Sequence, residues 1–429
     1  MTAAGRVELG LRENAAQFSL LVCVNAFVGA MVGLERSTLP LIGRDDFGLA
    51  SSAAVLSFIV AFGLAKALTN LGAGALAGRL GRRRLLIAGW TVALPVPPLI
   101  LAAPSWAWVV AANVLLGVNQ GLAWSMTVVM KIDLVGPRRR GLALGLNEAA
   151  GYGGVALAAA VAGWLASHYA ARDVLVAGGA AVAVTGLALS VLFVRDTGAH
   201  VALEQSRHTG ADGDRSPALA DAFADASYRV PALRACSQAG LVNNLNDALS
   251  WGLVPLFLAA NGAGPAQVGI VAGLYPAVWG IGQIWTGHWS DRVGRKPLIV
   301  AGMLVQAGAL AVLAASGGRV SVAAVSAVLL GVGTALVYPT LIAAISDAVT
   351  PVARAPVVGV YRFWRDSGYV AGGLLAGLIA DALDDAAAIA AVAALTALSG
   401  LWVAVDLPAP QAVAGAVSRV RGVGERPAA

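Results

Sequence analysis

Charge is what this sequence has least of. Asp, Glu, Lys and Arg make up 12% of its 429 residues, about half the share usual in a soluble domain. That is too little to clothe a water-dispersed chain of this length, so lipid must cover much of it. Histidine is as sparse: His168, His200, His208 and His288 lie too far apart for a zinc motif. The only two cysteines, Cys23 and Cys236, sit in or beside apolar runs. They read as small packing residues, not as a disulfide or a metal site. No G-K-[ST] follows any glycine group, so no phosphate loop is present. No Ser–His–Asp, Cys–His or metal set falls in the apolar runs, which argues against a membrane hydrolase. The chain is therefore expected to be no enzyme and to carry no cofactor. The first sixteen residues are polar, and no short apolar core with a small-residue cleavage site follows them, so no cleaved leader is expected.

What is abundant is apolar: 58% of residues are hydrophobic. A helix needs roughly 20 residues to cross the hydrocarbon core. Segments of that order fall at 17–41, 52–79, 85–103, 107–131, 141–166 and 174–194, then at 236–260, 264–289, 297–316, 321–344, 355–380 and 386–406. They are too long, and alternate too poorly, for barrel strands. The expected organisation is a polar segment 1–16, a six-helix unit 17–194, a linker 195–235 with one short amphipathic helix, a second six-helix unit 236–406 and a tail 407–429.

The net charge of +6 does not signal nucleic acid, because its distribution follows the spans. With the N-terminus inside, the short inner turns hold eleven basic residues: Arg79, Arg82, Arg83, Arg84, Arg138, Arg139, Arg140, Arg292, Arg295, Lys296 and Arg354. The outer turns hold three, Arg44, Arg172 and Arg319. This bias places both termini in the cytoplasm and the basic groups against anionic lipid heads.

The two units repeat one pattern. LLGVNQGLAWSMTVVMKIDLVGP at 115–137 matches LLGVGTALVYPTLIAAISDAVTP at 329–351, with Leu115, Gly117, Val118, Asp133 and Pro137 recurring 214 positions later. GALAGRLGRRR from Gly74 matches GHWSDRVGRKP from Gly287. Gly151-Tyr152 recurs as Gly368-Tyr369. Parallel halves of six spans imply a pseudo-two-fold axis along the membrane normal.

On these residues the chain resembles the major facilitator superfamily over about 15–406. The signature is the G-x-L-a-D-R-x-G-R-R/K turn after the second span of each half. Gly287, Asp291, Arg292, Gly294, Arg295 and Lys296 fit it. Gly74, Arg79, Gly81, Arg82 and Arg83 fit too, but Gly78 stands where Asp is usual. The resemblance implies an all-α membrane protein of twelve transmembrane helices in two pseudo-symmetric six-helix bundles. It further implies a functional monomer that alternates around a central cavity, driven by an ion gradient, here a proton gradient. In the family the basic turn pairs with acids at nearby helix ends and steadies one gate state; Asp133 and Asp347 are placed for that. The alternative is that the arginines only set topology. The loss of Asp at Gly78 is expected to loosen the first-half version. Export-type members carry Arg three residues before Gln-Gly in the fourth helix; here Gly117 precedes Gln120-Gly121. The Gly-Pro element of the fifth helix is replaced by Asn147, Glu148 and Gly151–Gly154. Both departures count against the usual drug-efflux pattern.

Polar residues inside the spans are costly and usually functional. Glu148 and Asp247 are the leading proton-coupling candidates, with Glu35 and Asp366 behind them. A static Glu148–Arg365 pair is the alternative, since those residues occupy matching places in the repeats. Cavity candidates are Asn25, Arg36, Lys66, Asn119, Gln120, Trp124, Asn243, Asn244, Tyr338, Arg362, Arg365 and Tyr369. Asn25, Gly29 and Arg36 lie near one helical face, and Asn243 and Asp247 share another. If Arg36, Lys66, Arg362 and Arg365 face the cavity unpaired, the solute is anionic or zwitterionic; if Glu35, Glu148 and Asp366 neutralise them, it can be neutral. The leading expectation is proton-coupled export of a small polar or anionic organic solute from the cell across the inner membrane. Drug/proton antiport, uptake or uniport of an organic anion, and a non-transporting membrane sensor are the rivals.

Overall fold

The computed structural model describes residues 7–136, 140–207, 218–349 and 351–407. It is helical throughout these segments. The first half runs α1 (Ala15–Asp45), α2 (Ser52–Leu80), α3 (Arg82–Ala93), α4 (Val96–Leu101), α5 (Trp106–Val135), α6 (Arg140–Ala166) and α7 (Ala171–Leu192). The linker holds α8 (Gly198–Arg207) and α9 (Leu219–Ala224), the latter running into a π turn at Asp225–Arg229. The second half runs α10 (Pro231–Ala260), α11 (Pro265–Val293), α12 (Arg295–Ala314), α13 (Val320–Ala348), α14 (Pro351–Ala382) and α15 (Asp385–Asp406). The third span is split into α3 and α4 around Pro95, Pro97 and Pro98, which remove backbone donors and crowd the preceding turn.

Ten spans among the described residues are long and apolar enough to cross a membrane. The seventh and eleventh, α10 and α14, are as long, at 30 and 32 residues, but are not among them. The reason is that they carry the second half's interior polar groups: Asn243, Asn244, Asn246 and Asp247 on α10, Arg362, Arg365 and Asp366 on α14. All but the half-buried Arg362 are buried. These two helices therefore hide their polar faces in protein rather than in lipid.

The bundles meet along two pseudo-equivalent contacts, α2 against α14 and α6 against α11, with α1 crossing α10 between them. Small residues set the spacing. A Cβ on Gly163 would lie 2.5 Å from the Gly269 Cα, and one on Gly377 would lie 2.5 Å from the Ala53 Cα. Such close approach is how membrane helices gain packing without a hydrophobic drive. Among the described residues, the polar contacts between bundles run from the end opposite the termini to mid-bundle. At that far end Asp381 of α14 caps α2, accepting from Ser52 N and Ser51 Oγ, both at 2.5 Å, and from Ala53 N at 3.1 Å. Residues 31–43 of α1 and 243–258 of α10 are buried without interruption, whereas Ser19 and Cys23, nearer the termini, are exposed. The molecule is thus tightly packed on the far side and looser on the side carrying the termini.

The repeated basic turns have the same backbone. Gly81 and Gly294 each end one helix and begin the next, at φ of +86° and +96°. Side-chain-bearing residues rarely adopt that left-handed conformation. The linker region contains two short helices, not the single one expected. α8 contacts α5 of the first bundle, while α9 and its π turn contact α14 and α10 of the second. There the Trp364 indole donates to Ser227 at 2.9 Å.

Candidate functional site

The central polar cluster is built from helix faces that meet where the bundles touch. From α1, Arg36 Nη2 reaches Asp247 Oδ1 of α10 at 2.7 Å. The Tyr369 hydroxyl of α14 donates to the other carboxylate oxygen at 2.6 Å, and the guanidinium lies 5.3 Å from the Trp251 ring. All are buried. A second knot forms around Asp366 of α14. It receives Asn70 Nδ2 at 2.5 Å and Arg365 Nη1 at 3.1 Å, with Lys66 Nζ of α2 at 3.9 Å. Arg365 extends through Nη2 to the Tyr152 hydroxyl at 3.0 Å and lies 4.5 Å from the Tyr338 ring.

Glu148 stands apart. Its Oε1 accepts from the Trp124 indole at 3.1 Å and from the Asn147 amide at 3.0 Å. Its Oε2 is buried with no hydrogen-bond partner, and no cation among the described residues forms an ion pair with it. Around it runs an aromatic wall. Trp124 and Tyr152 have centroids 5.3 Å apart, Tyr152 and Trp279 3.6 Å, Trp279 and Tyr338 5.7 Å, and Tyr275 and Trp279 5.7 Å. The wall also offers unused donors: the Trp279 indole, Gln283 Nε2 and Arg365 Nε are buried without partners. Such groups are costly to leave unmet and are natural contacts for a solute.

The alternative, a static Glu148–Arg365 pair, is not formed. Arg365 turns to Asp366 and Tyr152 instead. The unpaired basic interior is not found either: Arg36, Lys66 and Arg365 each have a carboxylate, Asp247 or Asp366, within ion-pair range. Several cavity candidates are bonded inside their own bundle. Asn119 Nδ2 donates to the Gly89 carbonyl, Gln120 Nε2 to the Val28 carbonyl and to Asn119. Asn25 lies between the Asn147 carbonyl and Thr127, and Asn243 accepts from Gln306. On α1, Asn25 and Gly29 meet α6 while Arg36 reaches α10, and on α10 Asn243 bonds Gln306 while Asp247 bonds Arg36. Asn244 is buried with both amide atoms unpartnered. Arg362 is half-buried, and Glu35 is buried with Oε2 unpartnered.

At the end carrying the termini, each basic turn pairs within its own bundle. Arg82 Nε lies 3.3 Å from Asp133 Oδ2, which also accepts from Thr197 at 2.6 Å. Arg295 Nε lies 3.0 Å from Asp347 Oδ2 and Nη1 contacts Ser290. Arg83 donates to the Val191 and Val194 carbonyls, both at 2.7 Å, closing the end of α7. The first-half pair is the better buried, with side chains 19% and 11% exposed against 23% and 55% for the second. The absent Asp at Gly78 has therefore not left that turn unanchored. Arg79 and Arg292 are exposed and Lys296 half-buried. Side-chain details at Gly74, Gly287, Asp291, Arg140 and Arg354 lie outside the described residues, as do Pro137, Arg138 and Arg139 entirely.

A family model for the Major Facilitator Superfamily matches residues 19–234 and 236–426. The chain belongs to the Major Facilitator Superfamily. It is a secondary transporter that moves small molecules across a membrane, in a family whose work is transport and not catalysis. As a superfamily member it resembles multidrug resistance protein 2 of Bacillus subtilis, at 32% identity over 139 residues, covering 30% of this chain and 34% of that protein. It also resembles the inner membrane transport protein YajR of Escherichia coli, at 44% identity over 59 residues, covering 14% and 13%. The matched stretches thus span about a third and an eighth of those relatives. The crystal structure of the nucleoside transporter NupG superposes with a TM-score of 0.73 at 12% identity, covering 91% of this chain and 100% of that one; at that identity the likeness concerns the fold. Among the described residues no group of three or more His, Cys, Asp or Glu is poised for a metal.

Reading the sequence missed Tyr152 as the bridge to Arg365, Asn70 as a ligand of Asp366, and Gln283. Trp251, Tyr275 and Trp279 join them through ring contacts. Their one common signal is helical spacing: Glu148 and Tyr152, and Tyr275, Trp279 and Gln283, recur at i, i+4 on faces that meet.

Proposed function

We propose that this superfamily member is a proton-coupled antiporter that exports a small amphipathic aromatic amine, the chemistry of many drug-like compounds. The observation that carries the reading is Glu148: a buried carboxylate with one free oxygen, no counter-ion, and aromatic rings around it. A cation is attracted both to that oxygen and to the ring faces. A proton and an organic cation compete for the same oxygen, and that competition is the minimal requirement for exchange. Asp247 and Asp366 are less suited, because guanidinium or ammonium groups already compensate them. The similarity of one stretch to a multidrug resistance protein supports the same solute class. The positive-inside bias supports cytoplasmic termini, and on that orientation the tight packing seals the external side. The protein then acts as a monomer in lipid, driven by the proton gradient.

Glu148→Gln in proteoliposomes tests the reading. Flux of a fluorescent aromatic amine driven by a pH gradient is expected to fall at least tenfold, and binding of the amine is expected to weaken and to lose its dependence on pH. Gradient-driven flux at the wild-type rate overturns it. One observation favours a second reading, transport of an organic anion: Arg365 Nε is buried and unpartnered. Gradient-driven flux of an aromatic carboxylate, but not of the amine, would establish that alternative.

A further inference from the structure

Lys131 is the buried cation that the site described so far does not use. It lies on α5, four residues before the helix ends at Val135, and is 1% exposed. Its Nζ donates to the Leu21 carbonyl of α1 at 3.1 Å. That bond uses one of three ammonium donors. Among the described residues no carboxylate lies within ion-pair range of it. An ammonium so placed, without a counter-charge, is costly. Lysine, unlike arginine, can relieve that cost by giving up its proton.

Its neighbours narrow its role. Glu148, from α6, is the charged group whose field reaches Lys131. On α1 it meets a main-chain carbonyl. Asp133, two residues along α5, is turned to Arg82 and Thr197. Lys66 of α2 is engaged with Asp366. Glu204 of α8 bears on Asp133. The helix geometry adds direction. Lys131 follows Trp124 by seven residues, two turns along the same face, and so lies about 10 Å nearer the end carrying the termini. Trp124, with Asn147, donates to Glu148. Two buried, uncompensated groups of opposite sign therefore stand in line between the centre of the molecule and its looser end.

We propose that Lys131 is the second proton-binding group of this transporter: its neutral amine takes the proton released by the Glu148 carboxyl and passes it to water at the end carrying the termini. The first transfer crosses a gap wider than ion-pair range: the carboxyl O–H bond breaks, water admitted from the looser end relays the proton, and an N–H bond forms, leaving carboxylate and ammonium. The second returns the amine to neutrality and leaves hydronium. This rests on the reading of Glu148 as the coupling acid.

The test uses Lys131→Arg and Lys131→Gln in the full-length protein, assayed as gradient-driven flux of the aromatic amine against pH. A purely structural role predicts that Arg, which keeps the charge and the bond to Leu21, rescues function and that Gln does not. Proton transfer predicts the reverse for turnover: Arg, which cannot deprotonate, lowers maximal flux at least tenfold with solute binding retained. In Gln the local positive charge is lost, the carboxylate is less favoured, and the pH midpoint of flux rises by about one unit. A second readout is independent of flux. The emission of Trp124, taken as the difference between wild type and Trp124→Phe, reports the state of Glu148; its pH midpoint is expected to rise similarly in Lys131→Gln. Wild-type turnover in Lys131→Arg, or an unmoved Trp124 midpoint in Lys131→Gln, overturns the proposal. If Glu148→Gln abolishes gradient-driven flux while either of those results holds, only the role of Lys131 falls. If Glu148→Gln leaves that flux intact, the underlying function falls with it.

Discussion

The Arg36–Asp247 pair is the shorter of the two ion pairs between the bundles among the described residues, and Asp247→Asn is the change that isolates it. Asparagine keeps the shape and can still receive the Tyr369 hydroxyl, so packing is preserved while the charge is lost. Arg36 is then left buried with a guanidinium whose Nε already lacks a partner. Removing one member of a buried ion pair typically costs about 3–5 kcal/mol. The cost falls on the packed state, because only there is Arg36 sealed from water by α10 and α14. Opening the far side hydrates the guanidinium and relieves most of it. With tenfold per 1.4 kcal/mol, the equilibrium moves toward the far-side-open state by roughly a hundredfold to several thousandfold. The native cysteines provide half of the assay. Cys23 is exposed on the looser side and Cys236 is buried. Maleimide labelling of Cys23 is expected to slow, and a reporter introduced by Leu256→Cys, buried in the far half of α10, is expected to become reactive. Replacing both partners with apolar residues, Arg36→Met with Asp247→Leu, removes the uncompensated charge and should restore the wild-type labelling pattern. Unchanged labelling at both reporters in Asp247→Asn would refute the claim that this pair holds the far side shut.

Two further outcomes follow from packing and from exposure. Gly269→Ala places a methyl against Gly163 at the α6–α11 crossing, where overpacking costs about 1–3 kcal/mol; the same Leu256→Cys reporter should become more reactive, with no effect expected from Gly308→Ala, which has open space beside it. Arg82→Ala should disturb Cys23 labelling more than Arg295→Ala, since the Asp347 partner is half in water and such pairs are worth under about 1 kcal/mol. Equal effects would show that burial does not rank the two turns.

The twelve segments, the halves and the basic turns were legible because each is encoded locally. Apolar runs report the membrane and the 213- and 214-residue offsets report the repeat. Gly81 and Gly294 mark a turn that needs a left-handed residue. The pairings across the interface were not legible. Glu148 and Arg365 were matched because they hold corresponding places in the repeats, yet correspondence argues against contact. A two-fold axis sets equivalent residues at equal distances on opposite sides of it, and they meet only when both lie close to the axis. What sits opposite a given residue depends on the rotation of each helix about its own axis. A difference of one residue turns a side chain by about 100°, which separates Arg365, facing Tyr152, from its neighbour Asp366, facing α2. The same limit applies to Lys131: the sequence marks it as one more polar residue within the fourth span, and only the packing of α1 over it shows that it is sealed with a single carbonyl partner.

The divergence of the halves has a physical logic. The turns at Gly81 and Gly294 have stayed alike because each must return the chain into its bundle through the same backbone path. The interior charges have not stayed alike. Asp247 and Asp366 of the second half are answered by Arg36 and Lys66 of the first half and by Arg365, so each carboxylate has a cation and the charges serve to register one bundle on the other. In the first half Glu148 and Lys131 are left without ion-pair partners on neighbouring helices. Buried pairs that are complete resist change of protonation, since losing a proton strands the partner. Buried groups that are incomplete can change protonation at little cost to their surroundings. If coupling is located where compensation is missing, neutralising Glu148 should abolish the pH dependence of transport while leaving bundle closure intact. Neutralising Asp247 should do the opposite, shifting closure while the pH midpoint stays within about half a unit. The two variants, read by flux and by Cys23 labelling together, separate the latch from the proton site.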